Sequence, residues 1–326
     1  MDVIADVFAQ LQGWFFERLI QPLLFALGLT HFAEIGFDAL ETLMLGVLQI
    51  ALLYSILRPL EARFPAEQWS DRNETRVDII YTWLHRLGVL PLLFFFLLGP
   101  LQDALQGWLR LHDIIPKNID DFFPVLFDRP LITFAIYFVV LDFADYWRHR
   151  LQHRFPWWWA LHSLHHSQRK MTFWTDDRNH LLDDVLADAW FALIALLIGV
   201  SPNQFVWIII LSKLLESLSH ANLRLSFGSL GDRLLVSPQF HRVHHAIGLG
   251  HEGIARGVNF AKTFSVWDVL FQTANFANNK VATGVSDQLS GRDYGIGFWQ
   301  QQWLGLTRLA DAIFSRHNTP PTKVHN

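Results

Sequence analysis

The sequence predicts an all-α integral membrane protein. About three to four transmembrane helices and a re-entrant helical hairpin are expected, capped by a cytoplasmic helical domain. Three observations carry this reading. Hydrophobic residues make up 51% of the 326-residue chain and charged residues only 17%, against ~25% charged in ordinary soluble domains. The apolar residues gather in helix-like runs close to the ~20 residues a bilayer crossing needs. Histidines cluster where those runs end, at spacings that repeat the helical period.

The elements follow in order. Residues 1–34 hold Trp14, Phe15, Phe16 and a Leu-rich run, interrupted by Pro22 and by Asp6 and Glu17. This reads as an amphipathic helix at the membrane interface. The start, Met1-Asp2-Val3, lacks a basic region, so no removable signal peptide is expected. Leu40–Leu57 is a first span, stopped by Arg58-Pro59. Ile79–Leu98 is a second, and Phe122 to Val140 a third. Arg58, Arg63, Arg72 and Arg76 follow the first span, and Arg148, Arg150, Arg154, Arg169, Lys170 and Arg178 follow the third. The 100–121 loop is acidic, with Asp103, Asp113, Asp120 and Asp121. The positive-inside rule puts both basic regions in the cytoplasm. Val185–Ile198 and Phe205–Leu218, separated by Gly199-Val200-Ser201-Pro202, are apolar runs too short for full crossings, so a hairpin that dips and returns is expected. A catalytic domain is expected over 35–280, and a C-terminal extension over 281–326. The last stretch, after Phe314, is polar and reads as disordered.

Composition also excludes. With no cysteine there is no disulfide, iron–sulfur cluster or thiolate-held metal. A net charge of −4 gives no reason to expect nucleic acid as a partner.

The histidines carry the chemistry. His149 and His153 are i,i+4; His162, His165 and His166 are i,i+3,i+4; His241, His244 and His245 repeat that second spacing. Each set falls on one helix face, close enough to share an ion. With the single residues His180 and His220, ten of sixteen histidines are candidate ligands. Ten imidazoles exceed one ion and suit two, with four or five nitrogens each. Imidazole alone does not choose among iron, copper, nickel and zinc. Asp145 lies four residues before His149, and Asp184 four after His180. Both can orient a ligating ring by accepting its second N–H. Asp142 and Asp188 are candidates at longer reach. A buried, metal-free cluster of this size would be costly to satisfy, which disfavours a purely structural role.

DFADYWRHRLQH, then WALHSLHHS, then HRVHH with NFAKTFSVWDVLF further on, resembles the fatty acid hydroxylase/sterol desaturase superfamily. These are membrane-bound non-haem di-iron enzymes with boxes H-x3-H, H-x2-HH and H-x2-HH. The resemblance matches His149 and His153 to the first box, His162, His165 and His166 to the second, and His241, His244 and His245 to the third. Arg178-Asn179-His180 resembles a further family stretch, and His220 with Asn222 another, so His180, His220 and Asn222 enter the expected site. Leu181 and Asp183 depart from the usual Pro and Glu, Asn259-Phe260-Ala261 from Asn-Tyr-Gly, and a Gly-rich insertion fills 247–257. The resemblance implies two iron ions, O2 as co-substrate, and electrons from an external donor: cytochrome b5-like, a ferredoxin or a reductase. The substrate implied is a membrane lipid (acyl chain, sterol or ether lipid), hydroxylated or desaturated.

Other readings compete. A metal transporter would carry ligands within its spans, whereas here they sit at helix ends; a zinc hydrolase needs few ligands and an open position. His251, in the insertion, is a further candidate to touch the site. His31, His85, His112, His317 and His325 read as ordinary interface or surface residues. Trp157, Trp158 and Trp159 suit either a substrate channel or an interfacial belt. The basic residues around them suit an acidic electron donor or lipid headgroups.

Overall fold

A computed structural model describes residues 2–69, 73–251, 256–277 and 281–314. The helices in chain order are α1 (Asp2–Phe15), α2 (Gln21–Ala26), α3 (Ala33–Arg63), α4 (Arg76–Arg86), α5 (Val89–Leu111), α6 (Ile119–Phe122) and α7 (Pro130–Arg154). They continue as α8 (Pro156–His166), α9 (Leu181–Ile198), α10 (Pro202–His220), α11 (Gly228–Leu234), α12 (Pro238–His244), α13 (Val266–Leu270) and α14 (Phe298–Phe314). Among the described residues there is no strand, only the isolated bridges Pro65–Leu223 and Ala246–Thr283. The all-α expectation holds.

Among the described residues, three helices are long and apolar enough to cross a membrane: Thr30–Arg63, which extends α3 by a 3-10 turn, Val89–Leu111 and Pro130–Arg154. Their outer faces expose Leu48, Leu52, Leu93, Phe95 and Leu97, a surface that suits lipid. With these helices the chain is an integral membrane protein. The second one begins at Val89, not Ile79. The chain breaks at Gly88, whose φ of +82° lies where residues with a Cβ are strained. The preceding α4 buries Asp78 and Arg86 in ion pairs, so it belongs to the polar half. Asp103, expected in a loop, lies inside α5.

Helices α9 and α10 outrun their apolar runs. Leu181–Asp184 of α9, and Pro202–Gln204 and Ser219–His220 of α10, are helical beyond those runs; His180 and Ser201 cap the two N-termini. Both helices pack on α7 through Tyr137, Phe138, Leu141 and Ile208. This packing returns the chain to the end of α7 where its histidines lie.

A buried ionic layer joins the halves. Arg86 donates to Asp176 at 2.7 Å and Asp177 at 3.1 Å, and Arg178 to Asp78 at 3.0 Å and the Leu164 carbonyl at 3.2 Å. The 167–180 loop is thereby tied to α4, α8 and α10. In the 281–314 segment, α14 lies against α8: Arg308 donates to the Ala160 carbonyl, and Gln302 to the Tyr81 hydroxyl. The polar stretch after Phe314 lies outside the described residues.

Candidate metal centre

Three short structural devices bring the histidines together. Helix α7 ends at Arg154, because Pro156 forces Phe155 into an extended conformation (ψ 121°). The chain turns there and starts α8, so His149 and His153 face His162 and His166. Helix α12 starts at Pro238, with the Ser237 hydroxyl accepting from Phe240 N–H, and carries His241 and His244 inward, with His245 at its end. Helix α10 delivers His220 from the far side.

The result is two buried tetrads. His149, His153, His162 and His166 converge in one, and His165, His220, His241 and His245 in the other; in each, all four ligand atoms lie within 4.8 Å of one another. His244 joins His166 and His245 in a third overlapping group between them. Nine of the ten candidate histidines are thus brought together, each at most 4% exposed.

The ring orientations show what the pocket is built to hold. His149 donates Nδ1–H to the Phe260 carbonyl at 2.6 Å, and His244 to the Val258 carbonyl at 2.7 Å. Carbonyls only accept, so both protons sit on Nδ1 and both Nε2 atoms carry lone pairs. Yet those Nε2 atoms face each other at 3.0 Å. His220, with Nδ1–H on the Glu216 carbonyl at 2.8 Å, likewise turns a bare Nε2 toward His165 and His241, each at 3.1 Å. Opposed lone pairs repel unless a cation sits among them. Protonation is not the remedy: burial holds His162, His165, His166, His241, His244 and His245 below the ordinary imidazole range. The residues fit two metal ions in an all-nitrogen environment.

Ring orientation comes from groups other than those expected. Asp183 accepts from His162 Nδ1 at 3.0 Å and is itself held by Gln152 and Trp158, both at 2.7 Å. Asp184 instead faces His85 at 3.2 Å. Asp145 pairs with Arg148 at 2.6 Å. Asp142 binds the Thr263 and Phe264 amides and the Trp267 indole. Asn222 bonds both ways with the Glu67 backbone. None of these four touches a ligand ring, and Asp188 touches none either. The physical reason is shared: helical spacing fixes which residues share a face, while ring partners are chosen across helices.

His180 is also corrected. Its Nδ1 accepts from Leu182 N–H, capping α9, and its Nε2 donates to the Gln302 carbonyl. Both nitrogens are engaged outside the centre. His85, expected at a surface or interface, is largely enclosed beside Asp184. His251 lies edge-on to the centre, its ring centroid 4.5 Å from that of His166, and donates to the Gly284 carbonyl. Of the three tryptophans, Trp159 packs on His153 and His166.

The loop that aims His149 and His244 is the 258–261 stretch, through the Phe260 and Val258 carbonyls. Asn259 adopts a left-handed φ of +58°, and Asp268 clamps the Phe260 and Ala261 amides at 2.8 and 2.9 Å. Sequence reasoning had no access to backbone acceptors, which carry no residue identity; Asp183 appeared only as a departure from a motif.

The fatty acid hydroxylase family matches residues 134–273, a span that contains all nine converging histidines. The chain is 28% identical over 265 residues to the ornithine lipid hydroxylase OlsE of Rhizobium tropici, covering 79% of this chain and 75% of that protein. It is 27% identical over 168 residues to human alkylglycerol monooxygenase, covering 52% of this chain and 36% of that enzyme. A Delta(7)-sterol 5(6)-desaturase of Gibberella zeae is 24% identical over 139 residues, covering 43% of this chain and 42% of that one. This chain therefore spans three quarters of the first relative but only about a third of the second. No solved structure matches it.

Proposed function

The chain belongs to the fatty acid hydroxylase/sterol desaturase superfamily, and from that premise we propose that it is an oxidoreductase that hydroxylates or desaturates a membrane lipid with O2. One observation carries the reading. Two buried imidazole tetrads, with the bare Nε2 atoms of His149 and His244 opposed at 3.0 Å beside them, sit at the end of a helix apolar and long enough to cross a membrane. The ions proposed are two irons, since the superfamily is iron-dependent; zinc would fit the nitrogens but cannot exchange electrons. His149, His153, His162 and His166 would hold one, and His165, His220, His241 and His245 the other, with His244 between.

Bound there, the metals would supply activation of O2 with two electrons from an external donor, one oxygen atom ending in water in a hydroxylation and both in a desaturation. The chain's own residues do the rest. Asp183 and the Phe260, Val258 and Glu216 carbonyls keep the rings neutral and aimed. Burial of every ligand keeps bulk water out, which protects a strong oxidant from side reactions.

The proposed topology sets α3, α5 and α7 across the bilayer, with α1–α2 along the interface and α9–α10 as a re-entrant hairpin. The centre then lies on the cytoplasmic side, supported by the arginines and lysines after α3 and α7. A cytoplasmic electron donor, such as a cytochrome b5-like protein or a ferredoxin, fits that placement.

Two measurements test this. Protein purified without oxygen should hold two irons per chain; one metal or none overturns the di-iron reading. Comparative lipid analysis of cells with and without the protein should find a lipid heavier by about 16 Da (hydroxylation) or lighter by about 2 Da (desaturation). His165→Ala and His244→Ala should abolish that product while the protein still inserts. An unchanged product in either variant removes that histidine from the centre.

A further inference from the structure

Two sides of the metal centre differ. Toward α9 and α10, a cavity of about 120 Å³ is lined by His149, His162, His165, His220 and His241. His153 and His166 are not on its wall. They pack instead on Trp159, whose ring centroid lies 4.9 Å from that of His153 and 5.3 Å from that of His166. Every converging histidine is buried, while Trp159 is partly exposed. On this side the tetrad of His149, His153, His162 and His166 comes within one aromatic ring of solvent.

The surface around Trp159 is basic. The Arg256 carbonyl meets the His153 ring at 3.3 Å, and the Arg256 guanidinium donates to the Arg154 carbonyl at 2.9 Å. Arg169 lies against Gly284, whose carbonyl accepts from His251, and the His251 ring is 5.0 Å from that of Trp159. Among the described residues no carboxylate pairs with Arg154, Arg169 or Arg256. Phe155 and Trp157, beside Arg154 in the chain, are exposed. Arginines with exposed aromatics have the composition of a protein-binding surface, and a field of one sign steers a partner of the other. Lipid headgroups are the other anionic surface at hand, and distance decides against them. In the topology proposed above, the apolar run of α7 ends at Val140, and Arg154 stands about 20 Å further along the helix. Headgroups extend only about 5–8 Å beyond the hydrocarbon.

We propose that this face docks an acidic one-electron carrier protein, and that Trp159 bridges the carrier to His153 and His166. The inference rests on the oxygenase reading above and names where the partner that supplies its electrons binds. Each docking oxidises one reduced carrier and delivers one electron. Two dockings, with two protons, balance the two electrons taken per O2 in either a hydroxylation or a desaturation. The Trp159 ring shortens the gap between the carrier and the two histidines and ends each transfer unchanged. Redox encounters use small, weak interfaces, and steering by charge suits partners that must exchange at every electron. The carrier docks away from the cavity beside the centre, so it exchanges while that cavity stays occupied.

The experiment uses the full chain in nanodiscs of phosphatidylcholine, which carries no net charge, with two acidic probes: a [2Fe–2S] ferredoxin and the soluble domain of a cytochrome b5. Binding is measured on zinc-loaded protein, so no electron moves and no product is needed. At least one probe should bind. Arg154→Glu combined with Arg169→Glu should weaken that binding about tenfold or more at low salt. The difference should fade toward 1 M salt, where the Debye length falls to about 3 Å. On iron-loaded protein, with rates taken per bound iron, Trp159→Leu should keep the binding and lose most of the rate at which the reduced probe is oxidised. Trp159→Phe should regain that rate, and reduction by dithionite should be alike in all variants. Binding of neither probe, or binding indifferent to the two charge reversals, overturns the docking face. So does a loss that appears only when anionic lipid is added to the disc, which assigns the arginines to headgroups. A wild-type rate in Trp159→Leu overturns the bridge. Electrons delivered with no oxidised lipid leave the docking face standing and overturn the oxygenase reading instead.

Discussion

At the scale of single residues, the centre depends on which atom of each imidazole holds the proton. His149 and His244 share no hydrogen bond although their Nε2 atoms lie 3.0 Å apart, because each proton is committed to a carbonyl on the far side of the ring. Asp183 does the same for His162, and its neighbour Asp184 does not. Asp183→Ala should therefore weaken metal binding about 10–100-fold, read as metal retained after dialysis against a graded chelator. Asp184→Ala should retain metal like the wild type, and equal losses in the two variants would contradict the assignment. His180→Ala separates ligand from cap: metal content should stay at the wild-type level while stability falls by about 1 kcal/mol with the lost cap. The three boxes were legible in the sequence as candidate ligands because imidazole is a residue type, recorded in the chain together with its spacing. His180 was misread because a histidine can also cap a helix, and only its neighbours decide which.

At the scale of elements, the site depends on close approaches between helices. Gly46 of α3 lies against the backbone of Arg86 at the end of α4, and a Cβ there would overlap the Arg86 carbonyl oxygen. Arg86 in turn anchors Asp176 and Asp177 of the loop that follows α8. Gly46→Val should cost about 1–3 kcal/mol through overpacking and lower the thermal midpoint. An unchanged midpoint would show that the two helices part without cost. Gly305 makes a similar approach in α14, where a Cβ would strike the His180 ring. The C-terminal helix is thus fitted to the α9 cap, a relation that no periodicity along the chain announces. The apolar runs did locate α3, α5 and α7, since burial in lipid or core selects for side-chain type. Their ends were missed where polar residues stay helical, as in α9 and α10, or where a glycine breaks a hydrophobic run, as at Gly88.

At the scale of the whole molecule, lipid-facing helices carry a polar head whose interior is ionic. Arg86, Asp176, Asp177, Lys213, Glu216 and Lys262 form linked ion pairs beneath the histidines. Such pairs stabilise only when every member is satisfied. Around them stand nine buried imidazoles, among which the bare Nε2 atoms of His149 and His244 face each other at 3.0 Å and call for a cation. Metal should therefore contribute to folding as well as to reaction, by about 4 kcal/mol for each site loaded at a thousandfold excess over its dissociation constant. Stripping the metal should lower the thermal midpoint, and zinc should restore that midpoint without restoring lipid oxidation. If zinc fails to restore it, or if stripping leaves it unchanged, the ions do not bind where the rings converge.

The sequence by itself determined that the chain is helical and membrane-held, and that three histidine boxes are the candidate ligands. Those properties follow from residue type and local spacing, which a chain carries before it folds. Only the tertiary structure decided that Asp183, not Asp184, bonds the His162 ring, that backbone carbonyls near residue 260 hold His149 and His244, and that His180 serves a helix end. Those are relations between residues far apart in the chain, set by how helices cross and by which partner each buried polar atom must find.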